Sequence, residues 1–273
     1  MPVTVKTFST TGDAAAALSS ERDARYLGGG TLVMRALNEG DVSVSTVVRA
    51  TDRALTQLDV ASSSRVTIGA GVTFARVLAE RDLAFLHSAA GSIGGPAVRN
   101  MGTIGGNLFA PTPFGDFAVA LLALDATVSV QSGYGTREIP IEEFLAGRTR
   151  TQGVLVLSVS CRRPSDGQAF RYRKISRIKP KGGSLMTLAA HVPSSGGRIV
   201  GARIALGAMA ATPVRAKAAE RALEGRALDE TSVAAAVAAA TEGTSPVDDS
   251  FASAWYRREV VGVHLRRLLT GQE

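Results

Sequence analysis

Two clusters of glycine are the residues in this chain best suited to bind an anion. The first is Gly28-Gly29-Gly30-Thr31. The second is Gly102-Thr103-Ile104-Gly105-Gly106-Asn107, with Asp116 nine residues beyond Asn107. Glycine admits positive φ and lets main-chain N–H groups approach a partner with no side chain in the way. Several such amides in succession form a concavity for phosphate, and a helix that follows adds the positive end of its dipole. The familiar nucleotide fingerprints fail on inspection. A GxGxxG frame begun at Gly28 needs a glycine where Val33 stands, and neither cluster carries the Gly-Lys-Ser/Thr of a P-loop. Taken alone, the clusters are two loops able to hold phosphate, or two tight turns in a mixed sheet.

Other residues offer equally open choices. Asp116 suits a ribose or amide edge, or the cap of a helix that starts at Phe117. Asn107 suits a ligand or the bracing of its own turn. Lys174 suits a cofactor or water, and Arg99 a ligand or a surface ion pair. Cys161 is the sole cysteine and reads as a small core residue; one thiol cannot hold an iron–sulfur cluster or an internal disulfide. His87, His191 and His264 lie far apart and form no ligand pair, so a metal site is not expected. Nothing assembles a Ser/His/Asp arrangement or a carboxylate pair. That points away from hydrolysis and towards chemistry carried by a cofactor.

The elements that must position these residues are legible in outline. The chain has 273 residues, 45% hydrophobic and 20% charged, the balance of a folded protein of two ordinary domains or one large one. Its net charge of +7 is spread out: the densest groups are Arg171-Tyr172-Arg173-Lys174, Lys179-Pro180-Lys181 and Arg257-Arg258, too dilute for a nucleic-acid surface. No leader and no membrane span are expected, which makes the cytoplasm the default location.

Gly12 to Ser20 reads as a helix and Arg25 to Leu27 as a short strand entering the first glycine loop. Leu32 to Leu37 follows as a helical turn, and Val42 to Val48 as a strand. Val66 to Ile68 is a strand, and Thr73 caps a helix running to Glu80. Phe117 to Leu124 is a buried helix. Thr127 to Gln131 and Arg137 to Ile141 form a hairpin around Gly133-Tyr134-Gly135, and Val154 to Val159 is a buried strand. The polar stretch from Arg162 to Lys181 marks a domain boundary near residue 164. Beyond it, Ser184 to Val192 and Arg198 to Leu206 are strands. Thr212-Pro213 opens a helix that Gly225 stops. Thr231 to Thr241 and Phe251 to Leu269 are the last helices.

Read in order, these segments resemble the FAD-binding subunit of the molybdenum hydroxylases, the xanthine dehydrogenase and carbon monoxide dehydrogenase family. The resemblance rests on Tyr26-Leu27-Gly28-Gly29-Gly30-Thr31-Leu32, on Ile68-Gly69-Ala70-Gly71-Val72-Thr73, and above all on Val98-Arg99-Asn100-Met101-Gly102-Thr103-Ile104-Gly105-Gly106-Asn107-Leu108. Ile204 to Ala208, Thr212 to Ala216 and Ala252 to Arg258 continue it, so it runs nearly end to end.

The resemblance implies an α+β chain. Residues 1–164 would be a two-part FAD-binding domain of the vanillyl-alcohol oxidase (PCMH) type, with parts of about 1–60 and 61–164. Residues 165–273 would be a small C-terminal domain with an antiparallel sheet and three helices. By the same resemblance, Leu27, Gly28, Gly29, Gly30, Thr31, Leu32 and Val33, with Gly102, Thr103, Ile104, Gly105, Gly106 and Asn107, wrap the FAD pyrophosphate. Asp116 lies near the nucleotide and Ile93 packs on the cofactor. Val156 sits on a strand near the flavin, and Lys174, or Arg173 in its place, lies by the isoalloxazine. No catalytic side chain and no metal ligand is implied in this chain.

Partners would be a small [2Fe–2S] subunit and a large molybdopterin subunit, in a dimer of heterotrimers. The organic substrate and the electron acceptor are not encoded here. The sequence departs from the family at Leu32, where an acid often follows the first loop. Its single cysteine separates it from the benzoyl-CoA-reducing branch, which carries an extra cluster. The rival readings are a stand-alone flavin oxidase of this fold and a basic nucleic-acid-binding module.

Overall fold

The computed structural model describes residues 3–61, 64–148, 153–178 and 182–272. The Lys179-Pro180-Lys181 group lies outside them. The fold is α+β; among the described residues it has three main sheets and one two-stranded hairpin.

The first sheet is parallel. Thr46–Ala50 lies between Thr4–Phe8 and Ala24–Tyr26. Parallel strands need crossovers: the helix Thr11–Ser20, whose Thr10 side chain accepts from the Asp13 amide, leads from the first edge strand to the other, and the helix Val33–Asn38 leads from there to the central strand. The central strand starts later than the alternation at Val42 suggested: Val42 is 92% exposed, and pairing begins at Thr46.

The second sheet is antiparallel, in the order Leu58–Asp59, Arg65–Gly69, Leu155–Arg162, Thr127–Ser132, Gly135–Pro140. It includes the expected hairpin. The third sheet is also antiparallel, in the order Val214–Arg215, Arg203–Gly207, Ser184–His191, Phe170–Ser176.

The helix Asp116–Ala123 is buried at every residue. It shares one core with Ile68, Val128 and Val159 of the second sheet and with Ala189 and Ala205 of the third. Small residues on the third sheet let it approach closely: a Cβ on Gly207 would stand 2.7 Å from Val119 Cγ2. The opposite face of that sheet presents Met186, Leu188, Ala190, Ile204 and Leu206 to a second core. Helices Lys217–Leu223, Glu230–Ala238 and Ala254–Thr270 pack on it through Leu223, Val233 and Leu265 among others. Ser184–His191 is therefore covered on both sides, which explains its nearly continuous apolar run.

Three sequence expectations need correction. The polar stretch after Arg162 contains the strand Phe170–Ser176. Its arginines hid it, because they serve tertiary partners: Arg171 donates to the carbonyls of Leu268 and Leu269, and Arg173 to that of Gln272, at the end of the last helix. Cations there satisfy orphan carbonyls and complement the helix dipole.

Thr212-Pro213 does not open a helix. Val214–Arg215 pairs with Leu206 and Ala205 as an edge strand, and the helix starts at Lys217. The sheet edge claims these backbone groups before a helix can. Arg198 to Leu206 is not one strand either. It breaks at Gly201, where φ is +73°, into a two-residue hairpin arm and the strand Arg203–Gly207.

Candidate functional site: two glycine loops and a buried ion pair

Leu27 ends the strand Ala24–Tyr26, and its amide donates to Val48 O at 2.8 Å, which fixes where the first glycine loop leaves the sheet. The loop runs directly against the second one. A Cβ on Gly28 would meet Thr103 Oγ1 at 2.9 Å, and one on Gly29 would lie 1.7 Å from Met101 O. Only glycine permits this contact of backbone with backbone. Gly30 has φ +72°, and its carbonyl accepts from Met34 N at 3.0 Å, which starts the helix Val33–Asn38. Leu32 is the N-cap of that helix and makes no side-chain cap bond. The main-chain N–H groups of Gly28, Gly29, Gly30, Thr31 and Leu32 have no acceptor among the described residues. Five consecutive bare amides at a partly exposed loop are what an anion needs.

The second loop is anchored on its other side. Phe74 N donates to Gly102 O, Ile104 N to Val72 O at 3.0 Å and Gly105 N to Ala70 O at 2.8 Å. The Ile68-to-Thr73 segment is thus the floor under Gly102–Asn107. Thr103 caps the short helix Ile104–Leu108 by accepting from Gly106 N at 3.2 Å. Gly105 is buried, and a Cβ there would lie 2.7 Å from Ala70 Cβ; Gly106 is exposed, and its added Cβ would meet only Thr103 Oγ1, at 3.1 Å. Gly106 therefore faces outward, while Gly105 seats the second loop on Ala70 of the Ile68-to-Thr73 segment.

Asn107 braces the local structure. Its Oδ1 accepts from Ala118 N at 3.1 Å, in the buried helix. Val156 is 3% exposed and directly precedes a register shift in its strand; the carbonyl of the next residue, Leu157, accepts from Ala70 N at 2.9 Å.

Asp116 lies at the start of that same buried helix and does not cap it, since Gly115 occupies the cap position. Its carboxylate takes Lys174 Nζ at 2.9 Å, Ser184 Oγ at 2.5 Å and the Thr187 hydroxyl. Asp116 and Lys174 are both nearly fully buried, so the pair stands on these hydrogen bonds. On a regular strand Ser184 and Thr187 would face opposite sides. The register shift between Ser184 and Met186 puts both on the aspartate.

Lys174 Nζ also donates to Ser92 O at 3.1 Å, and Tyr172 OH lies 2.9 Å from Ser92 Oγ. Burial, reinforced by the Asp116 charge, pushes the Tyr172 hydroxyl pKa well above the ordinary tyrosine value. Ile93, 8% exposed, is the next residue of that turn. Arg173 points instead to Gln272 at the chain end.

The site thus has two parts. The glycine loops touch each other, and the Asp116–Lys174 pair lies behind the Ile93 turn. Asn107 joins them through the buried helix. Sequence reasoning missed Ser92, Tyr172, Ser184 and Thr187. Two polar residues, Ser184 and Thr187, in the otherwise apolar run from Ser184 to Ala190 were the available signal. Among the described residues Arg99 makes no ion pair; it binds main-chain carbonyls. A cavity of about 170 Å³ lined by Arg171, Val192 and Leu269 shares no residue with either part.

Residues 3–161 match the family model for the FAD-binding domain in molybdopterin dehydrogenase, and residues 171–271 match the CO dehydrogenase flavoprotein C-terminal domain. The chain belongs to the FAD-binding subunit family of the molybdenum hydroxylases. It is 31% identical over 209 residues to the glyceraldehyde dehydrogenase medium chain of Sulfolobus acidocaldarius, covering 74% of each chain. It is 27% identical over 271 residues to the xanthine dehydrogenase FAD-binding subunit of Escherichia coli O157:H7, covering 96% of this chain and 91% of that one. A chain of carbon monoxide dehydrogenase from Hydrogenophaga pseudoflava superposes with a TM-score of 0.90 at 26% identity, over 99% of this chain and 96% of that one. This chain is thus a subunit of the oxidoreductase class, with an FAD-binding domain of its own. Among the described residues no helix is long and apolar enough to cross a membrane.

Proposed function

We propose that this chain holds one FAD across its two glycine loops and serves as the electron-transfer subunit of a three-subunit molybdenum hydroxylase. In this reading it works in the cytoplasm, its domain boundary lies near residue 164, and its complex is a dimer of heterotrimers. It takes electrons from a small [2Fe–2S] subunit, which receives them from a large molybdopterin subunit. It passes them to NAD⁺, O₂ or another acceptor. The observation that carries the reading is the row of bare amides from Gly28 to Leu32, set against the Gly102–Gly106 loop.

FAD, when bound, supplies the redox chemistry, collecting single electrons and releasing them as a pair. The protein supplies position and electrostatics. Leu27 to Val33 and Gly102 to Asn107 form the diphosphate cradle: the bare main-chain N–H groups of Gly28 to Leu32 donate to it, which needs no counter-cation, and the second loop, whose amides mostly have protein acceptors, lines the other side. Ile93 and Val156 offer apolar walls at the flavin end. Asp116 and Lys174 stand behind the Ile93 wall as a pair whose charges cancel. No side chain is required to touch the organic substrate, which binds in the large subunit.

The test is purification of the chain with its natural partners, followed by a visible spectrum and cofactor analysis. A yellow complex with one FAD per copy of this chain and two co-purifying subunits is expected. A folded, colourless protein that refuses FAD at micromolar concentration, about −8 kcal/mol, overturns the reading. A yellow chain that oxidises a small molecule with no partner present would instead make it a stand-alone oxidase.

A further inference from the structure

The turn that carries Ile93 is held by more than its own residues. Arg99 Nη1 donates to Gly91 O at 3.3 Å, Ile93 O at 3.2 Å and Gly94 O at 2.7 Å. Lys174 takes the remaining carbonyl, that of Ser92. Four consecutive carbonyls, Gly91 to Gly94, are thus engaged by two cations. In a trans peptide the N–H points opposite to the C=O. The peptide units whose carbonyls are Ile93 and Gly94 carry the N–H groups of Gly94 and Gly95, so both N–H groups point away from Arg99. Among the described residues neither has an acceptor. Gly94 has φ +46°, and a Cβ there would lie 2.8 Å from Val98 Cβ, so the reversed peptide depends on glycine.

We propose that Arg99 is a positioning residue for the flavin ring. By drawing in the carbonyls of Ile93 and Gly94, it turns the N–H groups of Gly94 and Gly95 outward as a pair of donors beside the Ile93 wall. The inference rests on the FAD reading above. Donors aimed at a ring that gains electron density on reduction favour the reduced form over the oxidised one. A guanidinium can serve several carbonyls from one rigid head, which an ammonium on a flexible stem does less well.

The experiment compares the purified complex carrying wild-type chain, Arg99→Gln or Arg99→Lys. Three quantities are measured: FAD dissociation constant, flavin midpoint potential, and melting temperature of the flavin-free protein. In Arg99→Gln the preference for reduced over oxidised flavin is expected to fall about tenfold, a drop of ~30 mV for a two-electron couple. Arg99→Lys should recover about half of that shift. A folded Arg99→Gln complex with unchanged potential overturns the proposal, as does one whose melting temperature falls while the potential stays fixed. If Arg99→Gln does not fold, an unchanged potential in Arg99→Lys overturns it instead. A wild-type complex without FAD defeats the functional reading; a wild-type complex that binds FAD, beside variants that match it, defeats only this inference.

Discussion

Replacing Gly106 by aspartate separates phosphate recognition from folding. Gly106 is exposed, it does not need positive φ, and an added Cβ meets only Thr103 Oγ1, at 3.1 Å. It is the third residue of the helix Ile104–Leu108. An acidic residue there sits near the positive end of the helix and should stabilise the fold slightly, by ~0.3–1 kcal/mol. The same carboxylate would stand beside a diphosphate held by the two loops. Two like unit charges about 5 Å apart at an effective dielectric near 20 repel by roughly 3 kcal/mol, which is on the order of a hundredfold in affinity. The two effects have opposite signs. The assay is FAD titration by flavin fluorescence at low and high salt, with thermal unfolding of the flavin-free protein alongside. We expect FAD binding weaker by about two orders of magnitude, partly restored by salt, and an unchanged or raised melting temperature. The neutral Gly106→Asn should lose little. An Asp variant that binds FAD within threefold of wild type would refute the placement of phosphate at these loops. Gly105→Asp cannot serve this purpose. Its Cβ would strike Ala70, so it would damage the seat of the second loop on the Ile68-to-Thr73 segment whether or not a phosphate binds there.

Asp116→Asn leaves Lys174 buried without its carboxylate; a loss of roughly 3–5 kcal/mol in urea unfolding is expected, largely recovered by adding Lys174→Met. A loss below about 1 kcal/mol would mean the pair behaves as an exposed one. Burial pushes the Cys161 thiol up to about 12. The native protein should therefore resist alkylation at pH 9 and react only when unfolded, where the thiol pKa is about 8.5. Because the folded-state pKa is raised, the stability linked to this group is complete below the unfolded value and declines as pH climbs towards 12. Rapid labelling of folded protein at pH 9 would contradict the buried placement.

Much of the architecture was legible as local pattern. The Thr73 cap, the buried helix after Asp116, the hairpin at Gly133-Tyr134-Gly135 and the helix stop at Gly225 each depend on residues close in sequence. The strand Phe170–Ser176 was not legible. Its arginines read as solvent-facing charge until the carbonyls that receive them, almost a hundred residues away, were in place. The edge strand after Pro213 failed for the same reason, since a proline signal is local and a sheet edge is not.

The sequence by itself determined which chemistry the chain can host. Glycines at Gly28–Gly30 and Gly102–Gly106 make backbone available, and the lack of other reactive groupings leaves the reaction to a cofactor. Only the tertiary structure decided the division of labour among those residues. It set Gly29 against the Met101 carbonyl, spent Gly105 on Ala70 and left Gly106 facing outward. It also gathered Asp116, Lys174, Ser184 and Thr187 into one buried cluster. Contacts of this kind follow from how separate elements pack, and spacing along a chain carries no record of them.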